Sequence, residues 1–207
     1  MIKKNIGILA SMSWNSNNWA STASKEDIEN SNYDYVKEKG EMHEDLNFAH
    51  ETLPTEDNGK FIAYTPMFNT YPSKEESKYV EIVFFRSLNH QTKQNCIMGF
   101  YALPDIAAHK RTKSKHKLYE TYDYGNVASL PENIVLFKNP ILISNEIIAK
   151  ENFVPKGKKL GQQGFNYLAY DNTLKILDKA TELNPTDTKL KKIKFYFLSE
   201  KKYKNAI

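Results

Sequence analysis

Two histidines in the segment HEDLNFAHE are the first side chains with the chemistry to hold a metal ion. His43 and His50 lie seven residues apart, and each is followed by a glutamate. On a helix they would share one face, but two turns would separate them by about 10.5 Å. Zinc proteases place their histidines at i and i+4, which brings both to one ion. We therefore expect an acidic surface helix without a metal, and keep a His/Glu metalloenzyme as a third hypothesis.

Nucleophilic and phosphate-transfer chemistry find little support in the chain. The one cysteine, Cys96, falls in a stretch that predicts a strand, where a thiol is usually an inert core group. No serine stands in a G-x-S-x-G turn. Glu81 lacks the lysine of an E-x-K nuclease motif, and the glycines at 157, 161 and 164 lack a G-K-[ST] ending. The sequence predicts a protein that is not an enzyme and takes no cofactor.

Both tryptophans lie in one polar segment, SMSWNSNNWASTAS. Trp14 and Trp19 enclose three asparagines, Asn15, Asn17 and Asn18. Indole faces stack on flat heterocycles, and amide side chains hydrogen-bond their edges. The segment therefore predicts a pocket for a base. The alternative is that both indoles cover the open end of a sheet.

Two basic segments could contact phosphates. HKRTKSKHK, residues 109–117, has five Lys or Arg residues and no acid, and tyrosines follow it at 119, 122 and 124. Cationic loops next to aromatic side chains are typical of surfaces that follow a nucleic-acid backbone and stack bases. The alternative is an ordinary solvated loop. The expected phosphate-binding residues are Lys110, Arg111, Lys113, Lys115, Lys117, Lys156, Lys158 and Lys159.

The composition is that of a folded domain that needs no membrane. The 207 residues are 40% hydrophobic and 26% charged, with 13 Tyr and 11 Phe, which is too aromatic for a disordered chain. No apolar run approaches the ~18 residues of a membrane span. A single cysteine excludes an internal disulfide. We expect one domain over 1–207, in the cytoplasm.

The charge is distributed unevenly along the chain. Residues 25–59 hold eleven acids and three lysines, whereas residues 109–207 hold 19 Lys or Arg and ten acids. An acidic front and a basic back can give the folded molecule one basic face. This pattern favours a polyanionic partner, and a lysine-rich surface without a partner is the alternative.

Periodicity and breakers predict strands in the middle and helices at both ends. YVEIVFFR at 79–86 and CIMGFYAL at 96–103 are the strongest strand signals, and we expect them to pair antiparallel. An acidic helical insert is expected at about 25–59, a long surface loop at 104–133, and C-terminal helices at about 170–203. The predicted fold class is α+β, with a small curved sheet or open barrel and flanking helices.

Three segments in order resemble the PUA-like superfamily, which includes the EVE and YTH domains. They are SMSWNSNNWA, YVEIVFFRS and IMGFYAL, and the resemblance covers about residues 5–180. It implies a PUA-like β-barrel with an aromatic pocket for a modified base. EVE-like domains often stand at the front of modification-dependent restriction proteins of the McrB type.

The leading hypothesis is a module that recognises a modified base, flipped out or methylated, as the specificity domain of a restriction or defence system. Its partners would be nucleic acid, with DNA favoured over RNA, and a nuclease or NTPase domain or subunit. The alternative is a protein–protein interaction module that uses the acidic segment 25–59. The expected pocket residues are Trp14, Asn15, Asn18, Trp19, Asn47, Tyr64 and Phe85.

Overall fold

A five-stranded sheet forms the centre of the computed structural model, which describes residues 5–69, 72–161 and 164–204. Its strands are β1 (Gly7–Ser11), β3 (Ile82–Leu88), β4 (Asn95–Ala102), β8 (Ile134–Ile143) and β9 (Phe165–Leu168). Their order in the sheet is β8-β4-β3-β1-β9, and the neighbours β1 and β3 run parallel whereas the other neighbouring pairs run antiparallel. The pairing of β3 with β4 confirms the predicted antiparallel partners.

Both faces of this sheet are buried. Along β3, Ile82 and Phe84 enter one core, and Val83 and Phe85 enter the other. A strand that is buried on both faces needs apolar residues at every position, because successive side chains point to opposite sides. This explains why the segment is almost continuously apolar instead of alternating.

Helices cover the first face of the sheet. They are α5 (Asn145–Lys150), α6 (Tyr170–Leu183) and α7 (Thr188–Lys204). Leu177 of α6 and Phe197 of α7 pack with strand residues in the first core. α6 ends at Leu183, and its C-cap Asn184 directly precedes Pro185, a residue type that cannot continue a helix.

Short elements and turns cover the second face. They are α1 (Lys25–Glu29), α2 (Asp34–Lys39), β2 (Phe61–Ala63), α3 (Lys74–Ser77), β5 (His109–Lys110), α4 (Leu118–Thr121), β6 (Tyr124–Gly125) and β7 (Val127–Ser129). β2 pairs with β7, and β5 pairs with β6. The fold is therefore mixed α+β with a five-stranded sheet, and the strands among the described residues form no closed barrel.

Two segments of this second layer differ from expectation. The prediction of a long loop at 104–133 was wrong, because this segment contains five short elements, the last a 3₁₀ helix at Pro131–Asn133. It also buries Leu118, Tyr119 and Val127 in the second core. In the predicted acidic helical insert, helix ends at Lys39, and the residues from 43 to 53 form turns that bury Leu46 and Phe48. Both segments pack on the sheet, which single-sequence periodicity does not reveal.

The pairing of β3 with β4 is irregular beside one charged residue, Arg86. Phe85 pairs with Gly99 and Arg86 pairs with Ile97, so the extra residue, Met98, is a bulge in β4. Bulges are common beside functional sites. Arg86 lies beyond this irregularity, paired with Ser11 of the parallel neighbour β1.

Among the described helices, none is long and apolar enough to cross a bilayer.

Candidate functional site

A cavity of about 230 Å³ lies at the carboxyl ends of the parallel strands β1 and β3. Because the two strands run in the same direction, the loops that follow them leave the sheet at the same edge. Such crevices are common ligand sites in sheets with parallel strands. Its lining includes six residues with polar or aromatic side chains: Ser13, Trp14, Tyr33, Arg86, His90 and Asn95.

Arg86 contributes a buried guanidinium to this cavity, and the residue is only 8% exposed. Nη1 donates to Asn95 Oδ1 at 3.3 Å, and Nη2 donates to the Gly161 carbonyl at 3.2 Å. Within the described part of the chain, Nε has no hydrogen-bond partner and no carboxylate forms an ion pair with the guanidinium.

Burial lowers the pKa of Arg86 from its ordinary value, and the nearby Tyr33 opposes that shift. An arginine nevertheless keeps its charge in proteins. A buried charge is stabilised only by partners that hydrogen-bond or neutralise it. Two neutral oxygens fix the plane of the group but leave its charge uncompensated.

The loop that follows β1 places an aromatic side chain, that of Trp14, in the wall of the cavity that also contains this guanidinium. Trp14 is half-buried and meets Trp19 edge to face, with 5.7 Å between the ring centroids. The Trp19 indole N–H donates to the Ser13 carbonyl at 3.0 Å. Tyr33, which is 48% exposed, lines the cavity from the start of α2. The buried indole therefore supports the partly exposed one.

Asp27 organises the same loop from α1. Its Oδ2 accepts from the Ser16 N–H and hydroxyl and from the Ser24 N–H and hydroxyl. Burial alone would raise the pKa of Asp27, but these hydrogen bonds outweigh it and lower the pKa. The ionised carboxylate thus ties the loop that carries Trp14 to α1.

Two further polar groups of the cavity lack partners among the described residues. They are the Ser13 hydroxyl and His90 Nε2. The pKa of His90 is lowered chiefly by burial and also by Lys93 and Lys37, while Asp27 opposes the shift. His90 is therefore neutral at pH 7 and offers one donor and one acceptor nitrogen. The whole arrangement presents fixed donors beside an aromatic face, which is the chemistry of binding.

Of the predicted pocket residues, only Trp14 lines this cavity. Asn15 and Asn47 are both 1% exposed, and their amides form hydrogen bonds with backbone and side-chain groups of the protein itself. The Asn15 amide donates to Asp45 Oδ1 at 2.7 Å, and Asn47 exchanges two hydrogen bonds with the backbone of Tyr64 at 2.8 Å each. These amides hold the second layer together, so their edges are not free to read a base.

The remaining predicted pocket residues lie elsewhere. Trp19 and Phe85 are fully buried and both pack on Phe48, so neither has a face open to a ligand. Tyr64 is 8% exposed and stacks on His43, with 3.5 Å between the ring centroids. Asn18 is exposed in a left-handed conformation. The aromatic residues that suggested a cage are therefore mostly core residues, and they support one partly exposed indole, that of Trp14.

Asn18 lines a second cavity, of about 480 Å³, together with His50, Asp187 and Lys189. The Lys189 ammonium already donates to the carbonyls of Pro131 and Ile134 at 3.1 Å each. Burial is the main reason that the pKa of His50 is lowered. Among the described residues, no three His, Cys, Asp or Glu side chains are grouped to hold a metal ion.

The predicted phosphate-binding residues divide into two groups. Arg111 is 7% exposed and donates to the carbonyls of Ile62, Tyr122 and Tyr124, so it is a structural group and not a surface cation. The other members are lysines at or near the surface: Lys110, Lys113, Lys115, Lys117, Lys156, Lys158 and Lys159. The 156–159 loop leads directly to Gly161, whose carbonyl accepts from Arg86.

Sequence reasoning missed Arg86, Tyr33 and His90 as site residues. One signal was present, because Arg86 is one of only two arginines and ends the apolar run predicted as a strand. A charged residue at the end of such a run points to a site at the sheet edge. The parallel neighbour β1 and the loop that brings Gly161 to Arg86 depend on tertiary structure.

No family model, curated protein or solved structure matches the chain.

Proposed function

We propose that this protein is a nucleic-acid-binding module that takes a single base, out of its stack, into the cavity between Trp14 and Arg86. The observation that carries the proposal is the buried guanidinium without a carboxylate partner among the described residues, held beside a partly exposed indole. A ligand suited to both must be flat and must carry hydrogen-bond acceptors. A nucleobase has both properties.

The energetics of such binding are favourable on physical grounds. Stacking of a base on an aromatic side chain contributes about 1–3 kcal/mol. Unstacking a base costs a few kcal/mol, and it costs least where the base is mispaired, damaged or already single-stranded. A fixed guanidinium adds charge-assisted hydrogen bonds without first losing side-chain freedom. Together these terms favour a base that is already weakly paired.

The surroundings of the cavity are suited to the phosphates on either side of such a base. Lys37 and Lys93 lie close enough to His90 to lower its pKa. The lysines of the 156–159 loop are exposed, and within the described residues none of them pairs with a carboxylate. Phosphate contacts by such lysines supply affinity that does not depend on sequence.

We propose further that the base is a modified one and that the module serves a restriction or defence system. The support is the order of the segments SMSWNSNNWA, YVEIVFFRS and IMGFYAL, which resembles PUA-like domains. In this proposal the protein itself is not an enzyme. A nuclease or NTPase domain or subunit acts on the DNA that this module selects, in the cytoplasm.

The alternative, a protein-interaction module built on the acidic segment, has weaker support. Asp27, Glu44 and Asp45 are each at most 5% exposed. Glu56 accepts from the N–H and hydroxyl of Thr112, at 3.0 Å and 2.5 Å. Several acids of this segment are therefore engaged inside the protein, and they are not available to dock a basic partner.

The proposal is tested with duplexes that carry one unpaired base, methylated or not, or an abasic analogue at the same position. The intact protein should bind the duplex with a base about tenfold more tightly than the abasic duplex. Trp14→Ala should remove this difference and keep most of the affinity for the abasic duplex, because phosphate contacts do not sense base identity.

The matched control is Phe195→Ala, which removes a 70% exposed aromatic side chain from α7. It should keep the preference. Circular dichroism checks that each variant is folded. Equal affinity of the intact protein for the base-containing and abasic duplexes would refute the proposal.

A further inference from the structure

The donors of Arg86 restrict which base edge its cavity can take. A guanidinium has five N–H groups and no acceptor. Asn95 and Gly161 each accept one of them, at 3.3 Å and 3.2 Å. The described residues provide no acceptor for the second N–H of Nη1 or of Nη2, and the buried Nε–H has no partner among them either. A ligand that brings an amino group to this position would place donor against donor.

The guanidinium is also fixed in orientation before a ligand arrives. Asn95 lies on β4 and Gly161 follows the 156–159 loop, so two separate parts of the chain hold its two terminal nitrogens. Arg111 provides a contrast within the same molecule. Its guanidinium donates to the carbonyls of Ile62, Tyr122 and Tyr124 and lies over an aromatic ring, that of Tyr119, at 4.3 Å. The Nε atoms of both arginines lack a partner among the described residues, but the terminal nitrogens of Arg111 are occupied by its own chain, whereas Arg86 lines a cavity.

Among the bases, the acceptor pattern that fits a guanidinium is that of guanine. Its O6 and N7 are adjacent acceptors, and an arginine binds them through two parallel hydrogen bonds. Adenine presents an amino group next to N7, and cytosine presents an amino group on the corresponding edge. We infer that the Arg86 cavity takes a guanine, or a modified purine that keeps both acceptors, with Trp14 against its face. This inference rests on the proposed function and specifies the base.

The same acceptors occur in a phosphate or carboxylate group, so the test must separate a base from an anion. The first comparison uses duplexes with one unpaired dG, dA or 7-deaza-dG at the same position. The last of these keeps O6 and the ring face but lacks the N7 acceptor. The second comparison measures how well dGMP, dAMP and inorganic phosphate displace the dG duplex.

We expect the dG duplex to bind roughly tenfold more tightly than the dA and 7-deaza-dG duplexes. dGMP should compete at lower concentration than dAMP or inorganic phosphate. Arg86→Lys keeps the charge and removes the planar fork, so it should reduce the preference for dG and leave the affinity for the dA duplex nearly unchanged. Lys37→Gln, the matched control, should weaken all duplexes alike and keep the preference.

The outcomes distinguish this inference from the proposed function. Binding of the dA duplex as tight as that of the dG duplex or tighter, if it needs Trp14 and is unaffected in Arg86→Lys, would overturn the guanine assignment and leave the base-binding module standing. Displacement by inorganic phosphate as effective as by dGMP would overturn it in favour of an anion site. If the intact protein binds a base and an abasic site equally, the proposed function fails and the inference fails with it.

Discussion

His43 lies between two tyrosine rings, and this position determines its protonation. The imidazole stacks on Tyr64 and Tyr122 at centroid distances of 3.5 Å and 4.5 Å. Its Nε2 is 2.7 Å from the Tyr124 carbonyl, which makes it the donor of that hydrogen bond. Burial lowers the pKa of His43 to about 4, with the neighbouring Arg111 acting in the same direction. The ring is therefore neutral at pH 7, and it acts as a core aromatic residue.

Because of this lowered pKa, the free energy of unfolding should decrease as the pH falls. As the pH falls below 6.5, the unfolded chain binds a proton at His43 before the folded chain does, so the unfolded state is favoured. The contribution at neutral pH disappears as the pH approaches 4, and it amounts to about 3 kcal/mol for this group. His43→Phe keeps a ring between the tyrosines but cannot be protonated.

We expect urea unfolding to show that the intact protein is more stable than His43→Phe at pH 7 and less stable near pH 4. At pH 7 the variant lacks the hydrogen bond to Tyr124 and is less stable by about 1 kcal/mol. As the pH falls to 4, the difference should shrink and then reverse, because only the intact protein loses stability at this position. Parallel stability curves for the two proteins between pH 7 and pH 4 would show that His43 is not held neutral in the fold.

At the scale of elements, the two basic loops have different surroundings. In the 109–117 segment, Lys113 pairs with Asp57 at 2.7 Å and Lys110 pairs with Asp123 at 3.4 Å. Nearby acids therefore neutralise part of this segment. The 156–159 loop adjoins the Arg86 cavity, and the described residues provide no carboxylate partner for its lysines. The second loop is the better candidate to contact phosphates.

Two matched triple variants compare the loops. Replacing Lys156, Lys158 and Lys159 by Gln should weaken binding to all duplexes and flatten the dependence of affinity on salt, by about 0.9 in log–log slope for each phosphate that is no longer neutralised. The same change at Lys113, Lys115 and Lys117 should have the smaller effect. Affinities measured at several salt concentrations decide between them. A larger change of slope in the second triple would place the phosphate path along residues 109–117.

The elements also show what the sequence could and could not predict. The strand pair β3 and β4 and the stop of α6 were predictable, since apolar runs and an Asn-Pro step are local signals. The 104–133 segment was not, because its polar and basic residues conceal a few buried anchors such as Leu118 and Tyr119. For the site, the sequence indicated Trp14 and missed Arg86, whose role depends on the parallel neighbour strand β1 and on a loop 75 residues away.

At the scale of the whole molecule, the sheet has two different faces. Helices α5, α6 and α7 cover one face with an apolar core. The short elements and turns of the second layer cover the other face, and many buried polar groups lie among them. The cavity lies where the loops after the two parallel strands leave the sheet. Asp45 belongs to the second layer, and burial raises its pKa to about 7. Its Oδ1 accepts from the amide of Asn15, the residue after Trp14, so the second layer helps to position the loop that carries Trp14.

The most direct test of the account uses the two tryptophans, which give two indole N–H signals in a nitrogen-15-labelled protein. Trp14→Phe removes one signal and so assigns both. When the intact protein is titrated with a duplex that carries one unpaired dG, the Trp14 signal should move strongly, because a base lies against its ring. The Trp19 signal should move less, since its indole N–H is buried against the Ser13 carbonyl. A Trp14 signal that stays in place while the duplex binds would contradict the account.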